Sequence, residues 1–264
     1  MSFFSAADIT AGYGRQSIIE QVCFDLDAGC LMGVVGANGS GKTTLLKAVC
    51  GILPHSGSCK LEERELERMS PVQLARLCSY IPQRSGISID ISALDVVLMG
   101  FNPRLRLLEH PSKSMKERAV STLGKVGLAG KEYTNYLHLS EGQKQLCILA
   151  RTLVSDSRLL LLDEPESALD FRFRYQMLDL LRDWVVDEQR AAVVALHDPV
   201  LALNYCDRLL VLHGRDVLGI LAPGTDSLDK MEGMLSAVYG NISLQRCVSR
   251  SGRAYLVMLK EDEI

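Results

Sequence analysis

The chain has 264 residues, of which 47% are hydrophobic and 23% charged, and its formal net charge is -3. That length carries a sizeable buried core, as one large α/β domain or a domain with a modest subdomain. The balance excludes a disordered or collagen-like chain and gives no basic field built for nucleic acid. Eight cysteines, Cys23, Cys30, Cys50, Cys59, Cys78, Cys147, Cys206 and Cys247, include no C-x-x-C pair and none at zinc-finger spacing from a histidine. They read as small buried hydrophobes of a reducing compartment. Met1 to Thr10 has no basic region followed by a long apolar stretch, so it does not read as a signal peptide. The longest apolar runs, such as Leu159 to Leu162 and Ala191 to Leu196, fall far short of the roughly 20 residues that span a bilayer. A soluble chain is expected, with any membrane role exerted through a partner.

In chain order, Val22 to Leu26 alternates like a half-buried strand. Leu31 to Val35 is a nearly continuous apolar run ending at a glycine, as in a strand buried on both faces. Thr43 to Cys50 follows as a helix, and Ser79 to Ile81 as a short strand. Helical signals dominate from Ser92 to Val126, broken near Pro103 and Pro111. Ser140 to Val154 predicts a helix, Leu159 to Leu162 a buried strand, Arg172 to Glu188 a long amphipathic helix and Ala191 to Ala195 another buried strand. Pro199 to Tyr205 is a short helix with proline early, where its missing N–H does little harm. Arg208 to Leu212 and Val217 to Leu221 form a hairpin about His213-Gly214. A helix over Ser227 to Tyr239 and strands over Ile242 to Val248 and Ala254 to Leu259 complete the chain. Buried strands alternating with helices predict a mainly parallel sheet in an α/β fold, with a helical block inserted between Gln83 and the Leu159 strand.

Gly36-Ala37-Asn38-Gly39-Ser40-Gly41-Lys42-Thr43 matches G-x-x-x-x-G-K-[ST] between a buried strand and a helix, with Thr44 continuing into that helix. The glycines let successive N–H groups turn toward phosphate oxygens, and the helix start adds its positive end. Lys42 can reach the β- and γ-phosphates, and the Thr43 hydroxyl can ligate Mg²⁺. The motif implies a nucleoside triphosphate without selecting a family. The Leu159 strand ends in Asp163-Glu164. Strand ends of a parallel sheet meet the ligand, so Asp163 is placed to hold Mg²⁺ and Glu164 to polarise water for attack on the γ-phosphorus. A solvated acidic turn is the plainer reading of that pair taken alone.

Between these elements stands Leu139-Ser140-Glu141-Gly142-Gln143. With it, the chain resembles the nucleotide-binding subunits of ABC transporters over nearly its whole length, and the pentapeptide is similar to their signature. Ser140 can cap a helix, and Gly142 permits close backbone approach. The resemblance implies a RecA-like P-loop core with an antiparallel β element. It further implies a head-to-tail dimer in which Ser140, Gly142 and Gln143 face the γ-phosphate held by the other subunit. It gives Tyr13, in Gly12-Tyr13-Gly14, the role of stacking on adenine, and Gln83 that of reaching Mg²⁺ and the attacking water. Ser167-Ala168-Leu169-Asp170 matches the loop that crosses the dimer interface, and His197 matches the switch histidine that donates to the γ-phosphate. Glu164, His197 and Gln83 are thereby the expected catalytic residues, and Thr43, Gln83 and Asp163 the expected magnesium ligands, with ATP as nucleotide. Glu166, Leu146 and Pro199 depart from the common pattern.

Residues 1–84 and 155–221 are expected to form the core, 85–154 the helical subdomain and 222–264 a C-terminal extension of one ABC ATPase domain. Ala93 to Pro103 and Leu235 to Gly240 are similar to segments of importer ATPases for iron–siderophore, haem and vitamin B12, while Asn102 and Leu105 to Leu108 depart from that pattern. The resemblance implies a homodimer on the cytoplasmic face of the membrane. It also implies polytopic permease partners and an indirectly coupled substrate-binding protein, and no direct nucleic-acid partner. A soluble ATP-driven switch acting on a cytosolic protein or nucleic acid is the alternative. A GTPase would call for an N-K-x-D motif, and the sequence has none.

Overall fold

The computed structural model describes residues 2–83, 86–106 and 108–262. The expected boundary between residues 84 and 85 and position 107 of the Leu105 to Leu108 stretch lie outside the described residues. The chain begins with two long antiparallel strands, β1 (Phe4–Tyr13) and β2 (Gln16–Leu26), followed by β3 (Leu31–Gly36) and α1 (Lys42–Val49). Next come β4 (His55–Leu61), β5 (Arg64–Glu65), α2 (Pro71–Leu77) and β6 (Cys78–Ile81). The helical block contains α3 (Ala93–Leu98), α4 (Lys113–Lys125) and α5 (Glu141–Leu153). Then β7 (Leu159–Asp163), α6 (Phe171–Asp187), β8 (Ala191–Ala195) and α7 (Pro199–Tyr205) alternate. The chain closes with β9 (Arg208–His213), β10 (Asp216–Leu221), α8 (Leu228–Tyr239), β11 (Ile242–Val248) and β12 (Ala254–Lys260).

Every residue of β3, β7 and β8 is buried, which is why these strands read as apolar runs without alternation. They lie inside a six-stranded sheet of order β10-β9-β3-β8-β7-β6, parallel except for β10 at one edge. Register pairs Val34 with Ala195, Asp163 with Ala195 and Ile81 with Leu162, so the chain leaves β3, β6, β7 and β8 at one common edge. Ligands of open α/β sheets bind at this carboxyl edge. A separate antiparallel sheet has the order β2-β1-β4-β5, and α1 packs between it and the six-stranded sheet.

Two apolar clusters result. One fills the space around α1, joining Phe4, Ile9 and Leu26 to Leu45, Leu161 and Val193. The other runs from Val96, Leu123 and Leu149 in the helical block through Leu160 and Leu162 to Leu181 and Leu235. Helix α3 begins with a capping box, in which the Ser92 hydroxyl accepts from Asp95 N–H and the Asp95 carboxylate from Ser92 N–H. The C-terminal hairpin is fastened to α7 by Asn204, whose amide donates to Leu256 O and whose oxygen accepts from Leu256 N, each at 2.8 Å.

Several expectations need adjustment. The hairpin turn falls at Gly214–Arg215, one residue later than expected, with Gly214 in the left-handed region. All eight cysteines are free, but Cys23 and Cys247 are exposed rather than buried. Strands β1 and β4 and helix α2 lie where the sequence had carried no assigned element.

Candidate active site

Gly41 holds φ +96° at the N-cap of α1, a left-handed conformation in which a Cβ would also come within 2.4 Å of Ile19. That turn sends Lys42 back under the loop. Its Nζ donates to Gly36 O at 2.9 Å and Ala37 O at 3.3 Å, and lies 3.9 Å from Glu164 Oε1. Only 5% of the lysine is exposed, so its charge depends on these oxygens and on any anion entering the loop. The Ser40 hydroxyl is buried at the base of the loop and has no hydrogen-bond partner among the described residues.

Thr43 Oγ1 donates to Asp163 Oδ1 at 2.9 Å, and the phenol of Tyr80 donates to Asp163 Oδ2 at 3.1 Å. Asp163 is thus oriented from helix α1 and strand β6 while only 3% exposed. Burial and the neighbouring Asp163 carboxylate push the Tyr80 phenol up, keeping it a donor. Gln83, just beyond β6, donates its amide to Glu164 Oε2 at 2.8 Å. Glu164 itself stands at φ +47°, in the left-handed region, with its N–H donating to Ala195 O at 3.0 Å. A non-glycine residue held there is strained, and such strain gathers at functional sites. Thr43, Asp163 and the amide oxygen of Gln83 form an all-oxygen donor set, the type that suits Mg²⁺.

Tyr13 ends β1 and is 52% exposed. It lines a cavity of about 280 Å³ together with Asn38 to Thr44 and Glu164, and also a neighbouring cavity of about 550 Å³ bounded by Gly14, Arg15, Pro54 and His55. The ring therefore stands where the phosphate loop opens toward a second space wide enough for a base.

His197 follows β8 with its side chain exposed at the same edge, and the ring has no hydrogen bond among the described residues. Its backbone N–H is fixed instead by Glu166 Oε1 at 2.8 Å. Glu166 is 2% exposed, and its other oxygen has no partner among the described residues. Burial, reinforced by the Glu164 charge, raises its pKa. Pro199 occupies the first turn of α7, whose start is capped by the Asp198 carboxylate, and Leu146 is core packing.

The remaining predicted residues lie elsewhere. Ser140 caps α5 by accepting from Gln143 N–H at 3.3 Å, while Gln143 Oε1 accepts from Ser140 N–H at 3.2 Å. A Cβ on Gly142 would sit 3.1 Å from Ala168 O, so the helix start rests on the loop that follows Glu164. Asp170 caps α6 by accepting from Phe173 N–H at 3.0 Å. None of these residues lines the phosphate-loop cavity. Tyr80 escaped sequence reasoning: only the strand's position beside β7 brings its phenol to Asp163, and a tyrosine two residues before Pro82 carries no such signal.

A family profile described as ABC transporter matches residues 19–167, more than half of the chain. The hemin import ATP-binding protein HmuV of Vibrio parahaemolyticus is 33% identical over 214 residues, covering 79% of this chain and 81% of that protein. An iron chelatin transport ATP-binding protein of Helicobacter pylori is 33% identical over 207 residues, covering 76% and 79%. Among solved structures, an ABC transporter of metal-chelate type in an inward-facing conformation superposes with a TM-score of 0.83 over 99% of both chains at 24% identity, a likeness of fold. A phosphate loop facing an Asp-Glu strand end, within that fold and with these relatives, places the chain in the ABC transporter family as an ATP-binding subunit.

Proposed function

We propose that the chain is the ATP-hydrolysing subunit that energises an ABC importer for metal chelates of the iron–siderophore, haem or cobalamin type. The observation that carries the chemistry is the sharing of Glu164 by Lys42 and Gln83, beside the Thr43–Asp163 pair. In this reading the loop from Gly36 through Ala37, Asn38, Gly39, Ser40 and Gly41 to Thr44 cradles the phosphates, Lys42 neutralises their charge and Tyr13 stacks on adenine. Thr43, Asp163 and Gln83 hold Mg²⁺, which when bound shields the negative charge of the β- and γ-phosphates. Glu164 orients the attacking water and accepts its proton, while His197 donates to the γ-phosphate.

A second subunit supplies Ser140, Gly142 and Gln143 to each phosphate, with Asp170 and its loop at the interface. The pair is a homodimer bound to polytopic permease subunits on the cytoplasmic face of the membrane, and a substrate-binding protein is coupled only through that permease. No helix among the described residues is long and apolar enough to cross a membrane. The names of the relatives at 33% identity, hemin import and iron chelatin transport, support the cargo class, and the first supports the direction. Purification from native membranes through a tag on this chain should recover a polytopic permease together with a chelate, haem or corrinoid. Recovery only with a cytosolic protein or nucleic acid, and no permease, would replace the importer reading with the soluble switch.

A further inference from the structure

Away from the phosphate-binding edge, three potential metal ligands meet on the antiparallel sheet. His55 and Cys59 stand four positions apart on β4, on either side of Gly57 at φ +90°. Glu67 follows on the short 3₁₀ turn Leu66–Arg68. One donor atom from each of the three lies within 4.8 Å of the other two. Structural hydrogen bonds aim two of them. Glu67 Oε1 accepts from Cys59 N–H, which turns the carboxylate over the strand.

The imidazole of His55 supplies the informative geometry. Its Nδ1 lies 3.4 Å from Leu53 O and its Nε2 lies 3.2 Å from Glu67 Oε1. In the tautomer protonated at Nδ1, that nitrogen donates to Leu53 O and Nε2 turns its lone pair toward the Glu67 carboxylate, a geometry that a metal ion between the two would complete. An imidazole whose second nitrogen is tied to a backbone carbonyl is also the usual arrangement of a metal-bound histidine. With bonds of about 2.0–2.2 Å to nitrogen and oxygen, the 3.2 Å spacing corresponds to an angle of about 100° at the ion, close to tetrahedral. The third donor extends the pair to a triad: the wholly buried Cys59 thiol faces the same Glu67 carboxylate and adds a sulfur ligand to the histidine and the glutamate.

We propose that His55, Cys59 and Glu67 form a site for a divalent ion of the zinc class, completed by water. A mixed nitrogen, sulfur and oxygen set selects such ions over Mg²⁺. The His55 side chain is 8% exposed and Glu67 32%, so the carboxylate has room to close on the ion. Entry is from the cavity of about 550 Å³ that His55 lines with Tyr13 and Pro54. Burial, aided by Glu67, pushes the Cys59 thiol up, so binding breaks the S–H bond, forms the metal–sulfur bond and releases the proton to solvent. The site shares no residue with the proposed magnesium ligands and does not rest on the importer reading.

Cobalt titration of the full chain, in excess Mg²⁺ and without nucleotide, tests the proposal. One equivalent of Co²⁺ should bind with a tetrahedral visible spectrum and a thiolate-to-cobalt charge-transfer band. Cys59→Ser should lose that band, and His55→Ala and Glu67→Gln should each weaken binding by about tenfold or more. Circular dichroism and ATP binding check that each variant is folded. Absence of the band from the wild-type chain, or its survival in Cys59→Ser through the exposed Cys23 or Cys247, overturns the site. Should Cys59→Ser fail to fold, wild-type cobalt affinity in both His55→Ala and Glu67→Gln overturns it equally.

Discussion

The edge formed by β3, β6 and β7 and the start of α5 are organised in opposite ways. At the sheet edge, groups far apart in sequence satisfy one another: Thr43 and Tyr80 share Asp163, and Lys42 and Gln83 share Glu164. At the start of α5, Ser140 and Gln143 bond each other within one turn, and Gly142 rests on Ala168. The first region needs the whole fold to exist. The second is a local cap whose residues do not line the phosphate-loop cavity of their own chain. The contrast fits the proposed division, in which the hydrolytic groups are assembled inside one subunit and the helix start is offered to another.

The largest expected effect breaks the first region alone. Glu164→Gln should retain ATP binding and lower turnover by about 10²–10⁴-fold, the range for a lost general base. Phosphate release measured beside nucleotide retention checks this, and a normal rate would remove Glu164 from its proposed role. Mixing chains tests the contrast directly. Lys42→Ala and Gly142→Asp should each be inactive alone, while their mixture forms one composite site with turnover at least an order of magnitude above either. A mixture as inactive as its components would mean that the two regions serve the same chain.

Smaller effects sharpen the description of the sheet edge. Tyr80→Phe removes a hydrogen bond to a buried carboxylate, an interaction of about 1.5–3 kcal/mol, and should weaken magnesium-dependent ATP binding about tenfold. A magnesium titration of nucleotide affinity reads it. The smallest effect belongs to Glu166. Its folded pKa is raised by burial, so its stabilising contribution is fully present below the unfolded carboxylate value and is lost as pH rises through the folded one. Glu166→Gln should remove that slope from the thermal midpoint measured across the acid range, while its amide oxygen keeps the bond to His197 N–H.

How much of this was legible in the sequence follows from what each feature depends on. The apolar runs of β3, β7 and β8 are buried on both faces, so composition alone revealed them. Strand β1 was not legible, because its pairing shifts register between Ala6 and Ile9, with Asp8 at φ +55°, and the alternation breaks there. Strand β4 carries Gly57 at φ +90° and few apolar residues. Helix α2 buries none of its residues, so it has no apolar period, although the Ser70 and Gln73 capping box marks its start. In the site, the phosphate loop and the Asp163-Glu164 pair are contiguous and could be read. The Tyr80–Asp163 and Glu166–His197 contacts join separate segments, and only the parallel register creates them.

The left-handed backbone of Glu164 has a consequence for how this position can vary. Glycine would relax the turn, and a strained conformation of this kind is worth on the order of 1–3 kcal/mol. Glycine would also delete the carboxylate shared by Lys42 and Gln83. Asparagine tolerates the same backbone but offers an uncharged amide, and aspartate falls one methylene short of Gln83. Under the proposed role of Glu164, thermal stability and hydrolysis pull this single residue in opposite directions. A selection for heat resistance alone should drift toward a chain that folds better and no longer turns over ATP.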